Sequence, residues 1–549
     1  MHEGVRQVEL VFLFLLLFVI IFGALAKQLR MAYPIVLVIA GLMVSFIPGL
    51  PRISLNPDIV FLAILPPLLY HAAWQTSWRE FRYNIVSILL LAFGLVAFTV
   101  FGIAFASEKG FSLLYWNTGF VLGAIVAPTD AIAATSIARR VGLPQRIVDI
   151  LEGESLVNDA TGLLALEFGI ALVVEGHTPS FAAGATRLVW LIAAGIGIGV
   201  LVGWLVRRLE LLIDDGPIEM TIGLVTPYAA YIAAEEAHAS GVIAVVATGL
   251  YIGRHSSVFF SPSVRLQAYA LWNAIDFVLN GLVFVLIGLQ LPFVLAGLHQ
   301  YSRPLLLGYA VSFSVLVIAL RLLWIYPGAW TAHLIRCRVQ KQNDPFPAPR
   351  ALFVVGWTGM RGVVSLAAAL SVPETLANGQ PFPGRNLIIF LTFSVILVTL
   401  VLQGLTLPPL VRALSLASRQ GPDCEEDEAR RLMIEAAVAH IEQARNAGPA
   451  ATEPALTHMY EDLLGHHHQR LTALECRSQA QEQAAGEAED HEVSAEPSHY
   501  LRYRELSQDL LRIERQTALR LRDDGRISDT VLRRLERELD LSETRISTS

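Results

Sequence analysis

The chain has 549 residues, of which 54% are hydrophobic and 16% are charged, and its mean hydropathy is +0.52. This composition excludes a soluble globular protein and indicates an all-α polytopic membrane protein embedded in a lipid bilayer. The net charge of -7 is unevenly distributed, and the chain has no basic domain that would favour nucleic-acid binding.

Hydropathy predicts about thirteen membrane-spanning helices, because the apolar runs approach the length of about 20 residues that a bilayer requires. The first run lacks a convincing small-residue cleavage site, so we expect a retained span rather than a signal peptide. The ninth run is short. The predicted spans cover residues 9–26, 34–50, 58–74, 85–107, 116–138, 148–174, 187–206, 218–236, 240–253, 268–291, 304–327, 350–372 and 386–411.

Basic residues are concentrated in alternate loops between these spans, and the opposite loops carry single basic residues or none. By the positive-inside rule, the basic loops face the cytoplasm. The amino terminus is therefore predicted outside and the carboxyl tail inside. The basic loops contain Lys27, Arg30, Arg79, Arg82, Arg139, Arg140, Arg146, Arg207, Arg208, Arg254, Arg265, Arg336, Arg338, Lys341 and Arg350.

Two predicted spans contain residues that interrupt a helix. In the fifth span, Pro128 removes a backbone donor and is followed directly by Thr129 and Asp130. In the twelfth span, glycines weaken the helix around Arg361. These glycines are Gly356, Gly359 and Gly362.

The two interruptions occupy corresponding places if spans one to six and eight to thirteen are repeats and the seventh span links them. A single linking span makes the second repeat start from the other side of the membrane, so the repeats would be inverted. Interrupted helices at matching positions of inverted repeats indicate the midplane site of a transporter. We therefore predict two inverted six-helix repeats with crossed broken helices.

The sixth span, within residues 149–173, carries an unusual number of polar side chains for a membrane helix. Glu152, Glu154, Asn158 and Asp159 all lie in its first half. Ionisable groups at this depth normally face a polar cavity or a partner rather than lipid. Burial disfavours the charged form of a carboxylate, so a proton and a cation can compete for Asp159. The alternative is a carboxylate that only pairs with an arginine.

Five motifs in one order resemble the monovalent cation/proton antiporter-1 family, and the bacterial sodium/proton exchangers in particular. The resemblance covers roughly residues 9–411, and the tail has no comparable motif. The motifs are LPPLLYHAA at 65–73, APTDAIA at 127–133, GESLVNDATG at 153–162, AEEAHASGVIAVVATGL at 234–250 and GWTGMRGVVSLAAAL at 356–370.

The resemblance implies a cation and proton site around Asp159, which would bind the two ions in turn. It implies that Asn158, being neutral, marks electroneutral exchange of one proton for one cation; a helix-packing amide is the alternative. Thr129 and Ser155 match positions around the Na⁺ ion, and their hydroxyl oxygens suit a hard cation. An ordinary backbone hydrogen bond is the alternative for both. Asp130 matches the same site and is expected to offset helix-end dipoles.

Three further charged residues match family positions. Glu154 and Arg321 resemble a buried ion pair between the sixth and eleventh spans, and we assign them mainly to stability. Arg361 resembles the arginine at the second helix break and is expected to shape the site. Because an unpaired buried charge is costly, loss of activity on mutating these residues would not prove a transport role.

One residue departs from the family pattern. Many relatives have an acidic residue where this chain has His71, so the resemblance leaves ion selectivity and pH response open. A packed, hydrogen-bonded histidine is favoured over one that titrates near neutral pH. The intramembrane polar residues Glu167, Asp276 and Asn280 have no assigned role.

The chain is predicted to divide into a transmembrane domain, residues 1–412, and a helical cytoplasmic domain, residues 413–549. The second part contains amphipathic segments separated by a polar stretch. The run His466 to His468 is favoured as solvated rather than metal-binding. Cys337, Cys424 and Cys476 have no metal-ligand spacing and are expected to be free thiols.

Together these features and the resemblance predict a cation/proton antiporter of the bacterial inner membrane, without enzymatic activity and without a cofactor beyond the transported Na⁺ and H⁺. The resemblance also implies a homodimer. Spans four to six and eleven to thirteen would form a moving core, and the remaining spans of the two repeats a dimerising scaffold. A K⁺/H⁺ exchanger on the same scaffold stays an alternative. A membrane sensor that acts through its tail is the second alternative, and the absence of a nucleophile or phosphate-loop motif counts against it.

Overall fold

The computed structural model describes residues 2–29, 31–47, 57–110, 114–174, 181–213, 215–259, 262–298, 300–341, 345–376 and 379–416, with isolated positions between 435 and 472. The chain divides into two compact units, Met1–Arg419 and Gln420–Ser549. Most of the predicted tail helices lie outside the described residues, as do His466, His467, Cys424 and Cys476. The regular secondary structure in the described part of the first unit is helical, apart from one isolated bridge between Thr375 and Pro381.

The first half of the transmembrane unit contains ten α-helices and two π-helical segments among its described residues. These are α1 (His2–Gln28), α2 (Tyr33–Ser45), α3 (Pro57–Ile59), a π-segment (Val60–Ile64), α4 (Leu65–Gln75), α5 (Trp78–Tyr83), α6 (Ile85–Leu89), a π-segment (Leu90–Leu95), α7 (Val96–Gly110), α8 (Trp116–Val126), α9 (Ala131–Val141) and α10 (Gln145–Val174).

The second half contains ten more α-helices and a third π-helical segment in the described residues. These are α11 (Phe181–Glu210), α12 (Gly216–Glu236), α13 (Gly241–Phe259), α14 (Pro262–Leu289), α15 (Leu291–Ala296), α16 (Arg303–Arg338), α17 (Pro349–Trp357), α18 (Val363–Leu370), α19 (Arg385–Val398), a π-segment (Thr399–Gln403) and α20 (Gly404–Ala413).

Several of these helices begin with a proline in the first turn, where its missing N–H would have no helical partner. Pro34, Pro217 and Pro349 occupy this position in α2, α12 and α17. At the start of α12, the Asp215 carboxylate also accepts a hydrogen bond of 3.2 Å from the backbone N–H of Ile218. Local sequence therefore determines where these helices begin.

Eight helical stretches of the described residues are long and apolar enough to cross a membrane. They are Leu10–Gln28, Pro57–Gln75, Ile85–Gly110, Gln145–Val174, Thr186–Glu210, Gln267–Leu295, Arg303–Arg338 and Arg385–Ala413. Each coincides with a predicted span. The other five predicted spans fall on α2, α8 with α9, α12, α13, and α17 with α18. The count of thirteen crossings therefore stays a prediction.

The helices pack in two sets, and α10 contacts helices of both. In the first set, α2 packs against α1 and α14, and α13 packs against α4, α11 and α12. In the second set, α8 packs against α7 and α10, α16 packs against α7, α17 and α19, and α20 packs against α9. Helix α10 also contacts α4 and α13 of the first set. It therefore lies at the boundary between the two sets.

The close packing of α2 on α14 depends on two glycines. A Cβ atom added at Gly41 would lie 2.7 Å from the carbonyl oxygen of Val285, and one added at Gly288 would lie 2.5 Å from that of Val38. Small residues let membrane helices approach to backbone contact. This contact fixes α14, which carries part of the site, against its neighbour.

Candidate functional site

The first helix interruption separates α8 from α9. Residues 127–130 are not helical, and they include Pro128, which cannot donate a backbone hydrogen bond. The carboxylate of Asp130 accepts a hydrogen bond of 2.8 Å from the backbone N–H of Ile132, in the first turn of α9. Asp130 therefore satisfies one of the donors that the start of α9 leaves unpaired.

The second interruption separates α17 from α18 and lies against the first. The backbone N–H of Asp130 donates to the carbonyl oxygen of Met360 over 2.8 Å. Arg361, which is 1% exposed, donates from Nε to the carbonyl oxygen of Val126 over 3.0 Å and from Nη1 to that of Gly359. A buried cation thus satisfies carbonyl groups near the ends of both broken helices. These contacts join the two interruptions directly.

A buried ion pair joins α10 to α16. Arg321 donates from Nη1 and Nη2 to the two carboxylate oxygens of Glu154, over 2.5 and 2.9 Å. Both side chains are 1% exposed, and Arg321 also donates to the carbonyl oxygen of Val355 in α17 over 3.2 Å. Bidentate pairs of this kind are among the strongest hydrogen bonds in proteins. The pair therefore ties three helices of the second set together.

The ion pair continues as a chain of hydrogen bonds into the first interruption. The Thr129 hydroxyl donates to Glu154 Oε1 over 3.0 Å, and the Asn158 amide donates to the Thr129 hydroxyl over 2.8 Å. Asn158 and Thr129 are buried. Asn158 thus fixes the interrupted segment against α10, an arrangement that agrees with the helix-packing alternative for this residue.

A cavity of about 280 Å³ lies beside this network. Four of the five predicted cation-binding residues line it, namely Thr129, Asp130, Ser155 and Asp159, whereas Asn158 is not among the residues that line it. The wall of the cavity that belongs to the first helix set carries other polar side chains. These are Tyr33, His71, Gln75, Asp276 and Asn280.

The cavity has a strongly acidic lining. Asp130, Glu152, Asp159 and Asp276 all contribute carboxylates to it. Asp159 is only 6% exposed and interacts electrostatically with Asp130. Clustered carboxylates in a low-dielectric cleft attract cations. The lining is therefore suited to a positively charged ligand.

A second cavity of about 280 Å³ borders α10, and its lining begins at the residue that follows Asp159 in the sequence. Its lining begins on α10 with Ala160 and Thr161 and includes Glu167 further along the helix. Arg187 in α11 donates to Glu167 over 3.3 Å, and both side chains are partly solvent-exposed. Two separate cavities thus approach α10 at neighbouring positions.

The sequence alone did not predict a role for several polar residues of this region. His71 Nδ1 lies 3.4 Å from Asp276 Oδ1, and the Asn280 amide donates to the same oxygen over 2.9 Å. The only sequence signal for this contact is that all three residues are polar within predicted spans. Glu235 and His238 line the second cavity. They lie within the AEEAHASG motif, but the motif did not predict a role for either residue.

Replacing Arg321 with methionine is expected to lower the free energy of unfolding by about 3 to 5 kcal/mol, because Glu154 would keep a buried charge without its partner. The double variant Glu154→Gln/Arg321→Met removes both charges and should recover most of this loss. Thermal unfolding of the detergent-purified variants measures the difference. If the double variant loses as much free energy of unfolding as the two single variants lose together, the result would contradict this account.

Comparison with known proteins agrees with the geometry. The family model for the transmembrane domain of sodium/hydrogen exchangers matches residues 13–413. An uncharacterized Na⁺/H⁺ exchanger of Mycobacterium bovis is 31% identical over 531 residues, which cover 96% of this chain and 94% of the relative. A sodium, potassium, lithium and rubidium/H⁺ antiporter of Bacillus pumilus is 34% identical over 440 residues, covering 78% of this chain and 64% of the relative.

A solved structure shares the fold. The sodium proton antiporter MjNhaP1 of Methanocaldococcus jannaschii at pH 8 superposes with a TM-score of 0.56 and 18% identity, over 75% of this chain and 100% of the solved chain. The family match covers the two interrupted helices, the buried ion pair and the acidic cavity. The chain belongs to the sodium/hydrogen exchanger family.

Proposed function

We propose that the protein exchanges Na⁺ for H⁺ across the bacterial inner membrane, and that Asp159 binds the cation and the proton in turn. The observation that carries the proposal is that Asp159, Asp130, Ser155 and Thr129 line one acidic cavity beside two joined helix interruptions. Interrupted helices at matching positions are the usual location of a transporter's binding site.

The residues around Asp159 suit a weakly held monovalent cation. Within the part of the chain that the structure describes, no three His, Cys, Asp or Glu side chains converge as a metal-binding group. We propose that Na⁺ is held by the Asp159 carboxylate with hydroxyl and carbonyl oxygens, for which Ser155 and Thr129, in the same cavity lining, are the candidates. Such a site binds a cation loosely enough to release it.

The two cavities suggest how the site could be reached from both faces. From Asp159, the first cavity extends along α10 to Glu152, along α9 to Ser136 and along α4 to Gln75. All three directions lead toward loops that the positive-inside rule places in the cytoplasm. The second cavity extends the other way along α10, to Glu167. In this proposal Asp159 faces the cytoplasmic cavity here and the opposite one after a movement of the core.

Packing supports a division into a moving and a fixed part. The second helix set contains α10, both interruptions and the Glu154–Arg321 pair, so the binding site would move as one unit. The first set would form the scaffold, through which we propose that two chains form a homodimer. A core with an unoccupied, charged Asp159 would cross the barrier poorly. That penalty would couple cation movement to proton movement.

The proposed stoichiometry is one proton for one cation. Asn158 beside Asp159 is uncharged, and its amide is engaged by Thr129. Only one side chain of this pair can therefore take up a proton, and the loaded core would carry the same charge in both directions. The relative from Bacillus pumilus is named for sodium, potassium, lithium and rubidium, so K⁺/H⁺ exchange stays a second candidate.

Fluorescence of a pH-sensitive dye in proteoliposomes tests the proposal. Na⁺ is expected to drive proton movement over a range of pH, and a membrane potential imposed at matched ion gradients should drive no net exchange. Parallel assays with Li⁺ and K⁺ distinguish the candidates, since a response to K⁺ without one to Na⁺ would favour the second. No response to any alkali cation would refute both.

A further inference from the structure

We propose that Asp276, on the scaffold wall of the first cavity, is a second cation-binding carboxylate that sets cation affinity at the cytoplasmic face only. The inference rests on the exchange function proposed above. It assigns a role to a residue of α14 outside the group around Asp159. Asp276 and Asp159 line the same cavity, but they belong to different helix sets.

Asp276 has one carboxylate oxygen fixed by neighbours. The Asn280 amide donates to Oδ1 over 2.9 Å, and His71 Nδ1 approaches the same atom to 3.4 Å. The side chain is 30% exposed. These contacts hold one oxygen and orient the carboxylate, and Oδ2 is the atom that we assign to a cation in the cavity.

The partner His71 is itself held in place. Its Nε2 lies 2.8 Å from the amide nitrogen of Gln75, and its ring stacks on Trp272 with centroids 5.8 Å apart and planes inclined by 11°. The contact with Gln75 occupies Nε2, and Nδ1 is the ring nitrogen that faces Asp276. The contact with His71 thus orients the carboxylate of Asp276 toward the cavity that both residues line.

Asp276 shares the cavity with other carboxylates, and His71 is the basic side chain beside it. Asp130 interacts with it electrostatically, and Asp159 and Glu152 line the same space. Carboxylates that share a cavity repel one another, and a cation between them relieves the repulsion. The free energy of bringing a cation into the cavity therefore includes a favourable contribution from Asp276.

The location of Asp276 limits its effect on cation affinity to the cytoplasmic face. Helix α14 packs against α2 of the scaffold set, whereas Asp159 lies on α10 and moves with the core in the proposed cycle. When Asp159 faces the second cavity, Asp276 no longer borders the path of the ion. A scaffold carboxylate can then alter cation binding from the cytoplasm and leave binding from outside unchanged.

Asp276→Asn tests this in membrane vesicles of both orientations. In inside-out vesicles, where added Na⁺ reaches the cytoplasmic face, the variant should raise KM about tenfold, which corresponds to about 1.4 kcal/mol. In right-side-out vesicles, KM should stay within about twofold of the native value. Asp215→Asn, a change of the same kind at an exposed carboxylate that lies in the lining of neither cavity, serves as the matched control and should leave the KM at both faces unchanged.

An unchanged cytoplasmic KM, or an equal increase at both faces, would overturn the proposal while leaving the exchange function intact. Asp276→Glu keeps the charge and should keep the cytoplasmic KM within about threefold. A tenfold increase in that variant would assign Asp276 a packing role instead. If native vesicles show no cation-driven proton movement, the proposed function itself fails, which distinguishes the two failures.

Discussion

Replacing Asp159 with asparagine is expected to abolish Na⁺-driven proton movement in proteoliposomes, with a loss of about 100-fold or more. The carboxylate supplies the negative charge for the cation and the only site for the exchanged proton in the proposed cycle. Removing a charge next to a bound cation costs several kcal/mol at an effective dielectric constant of about 20. The neutral amide can neither release a proton nor neutralise Na⁺, so neither half of the cycle would proceed.

The matched control is Asp215→Asn. Asp215 is exposed and caps the start of α12, and asparagine caps helices about as well as aspartate. This variant should exchange at the native rate. Size-exclusion chromatography of both variants distinguishes loss of transport from loss of folding. Native-level exchange by a well-folded Asp159→Asn variant would refute the assignment.

Replacing Gly162 with alanine is expected to reduce exchange by about tenfold or more. Gly162 lies on α10, and a Cβ atom at this position would overlap the ring of Pro128 in the first interruption. A proline ring is joined to its own backbone and cannot rotate away. The helix that carries Asp159 and the segment that carries Thr129 would therefore have to separate. Misplacing groups in a binding site by about 1 Å can cost about 100-fold in rate.

Gly197→Ala is the matched control for this change. Gly197 is an exposed helical glycine in α11, and an added Cβ atom there would meet no other atom within 4 Å. The control variant should transport normally, because alanine is a better helix former than glycine. Rates of Na⁺-driven dye response in the two variants provide the comparison. Equal rates would show that the contact between Gly162 and Pro128 does not position the site.

The sequence alone was sufficient to locate the polar helix and the two helix interruptions along the chain. Polar residues in a predicted span identified α10, and Pro128 with the glycines around Arg361 identified the two non-helical segments that the structure contains. These features are local, because a proline or a buried carboxylate constrains its own segment whatever the neighbours are. Each predicted span therefore coincides with helical segments of the described chain.

Partners across the cavity could not be predicted in the same way. The contact between His71 and Asp276 joins α4 to α14, two helices that are distant in sequence. Lipid is as apolar as a protein interior, so hydrophobicity does not reveal which face of a membrane helix meets which neighbour. The polar residues were visible, but their pairing depends on helix packing.

Hydropathy also did not predict where the helices end. The eleventh predicted span ends at residue 327, whereas α16 continues through Pro327 to Arg338. Hydropathy reports where apolar residues stop, and a helix can continue past the membrane boundary. Membrane helices tolerate an internal proline because neighbouring groups satisfy the freed carbonyl. Similarly, the short helix α5 lies where only a basic loop was predicted.

The most direct measurement of the central claim is proton release on cation binding by the purified protein in weakly buffered detergent solution. If H⁺ and Na⁺ compete for Asp159, adding Na⁺ at a pH where this group is protonated should release up to about one proton per chain. The Asp159→Asn variant should release none. Na⁺ binding without proton release in the native protein, or equal release from the variant, would contradict the account.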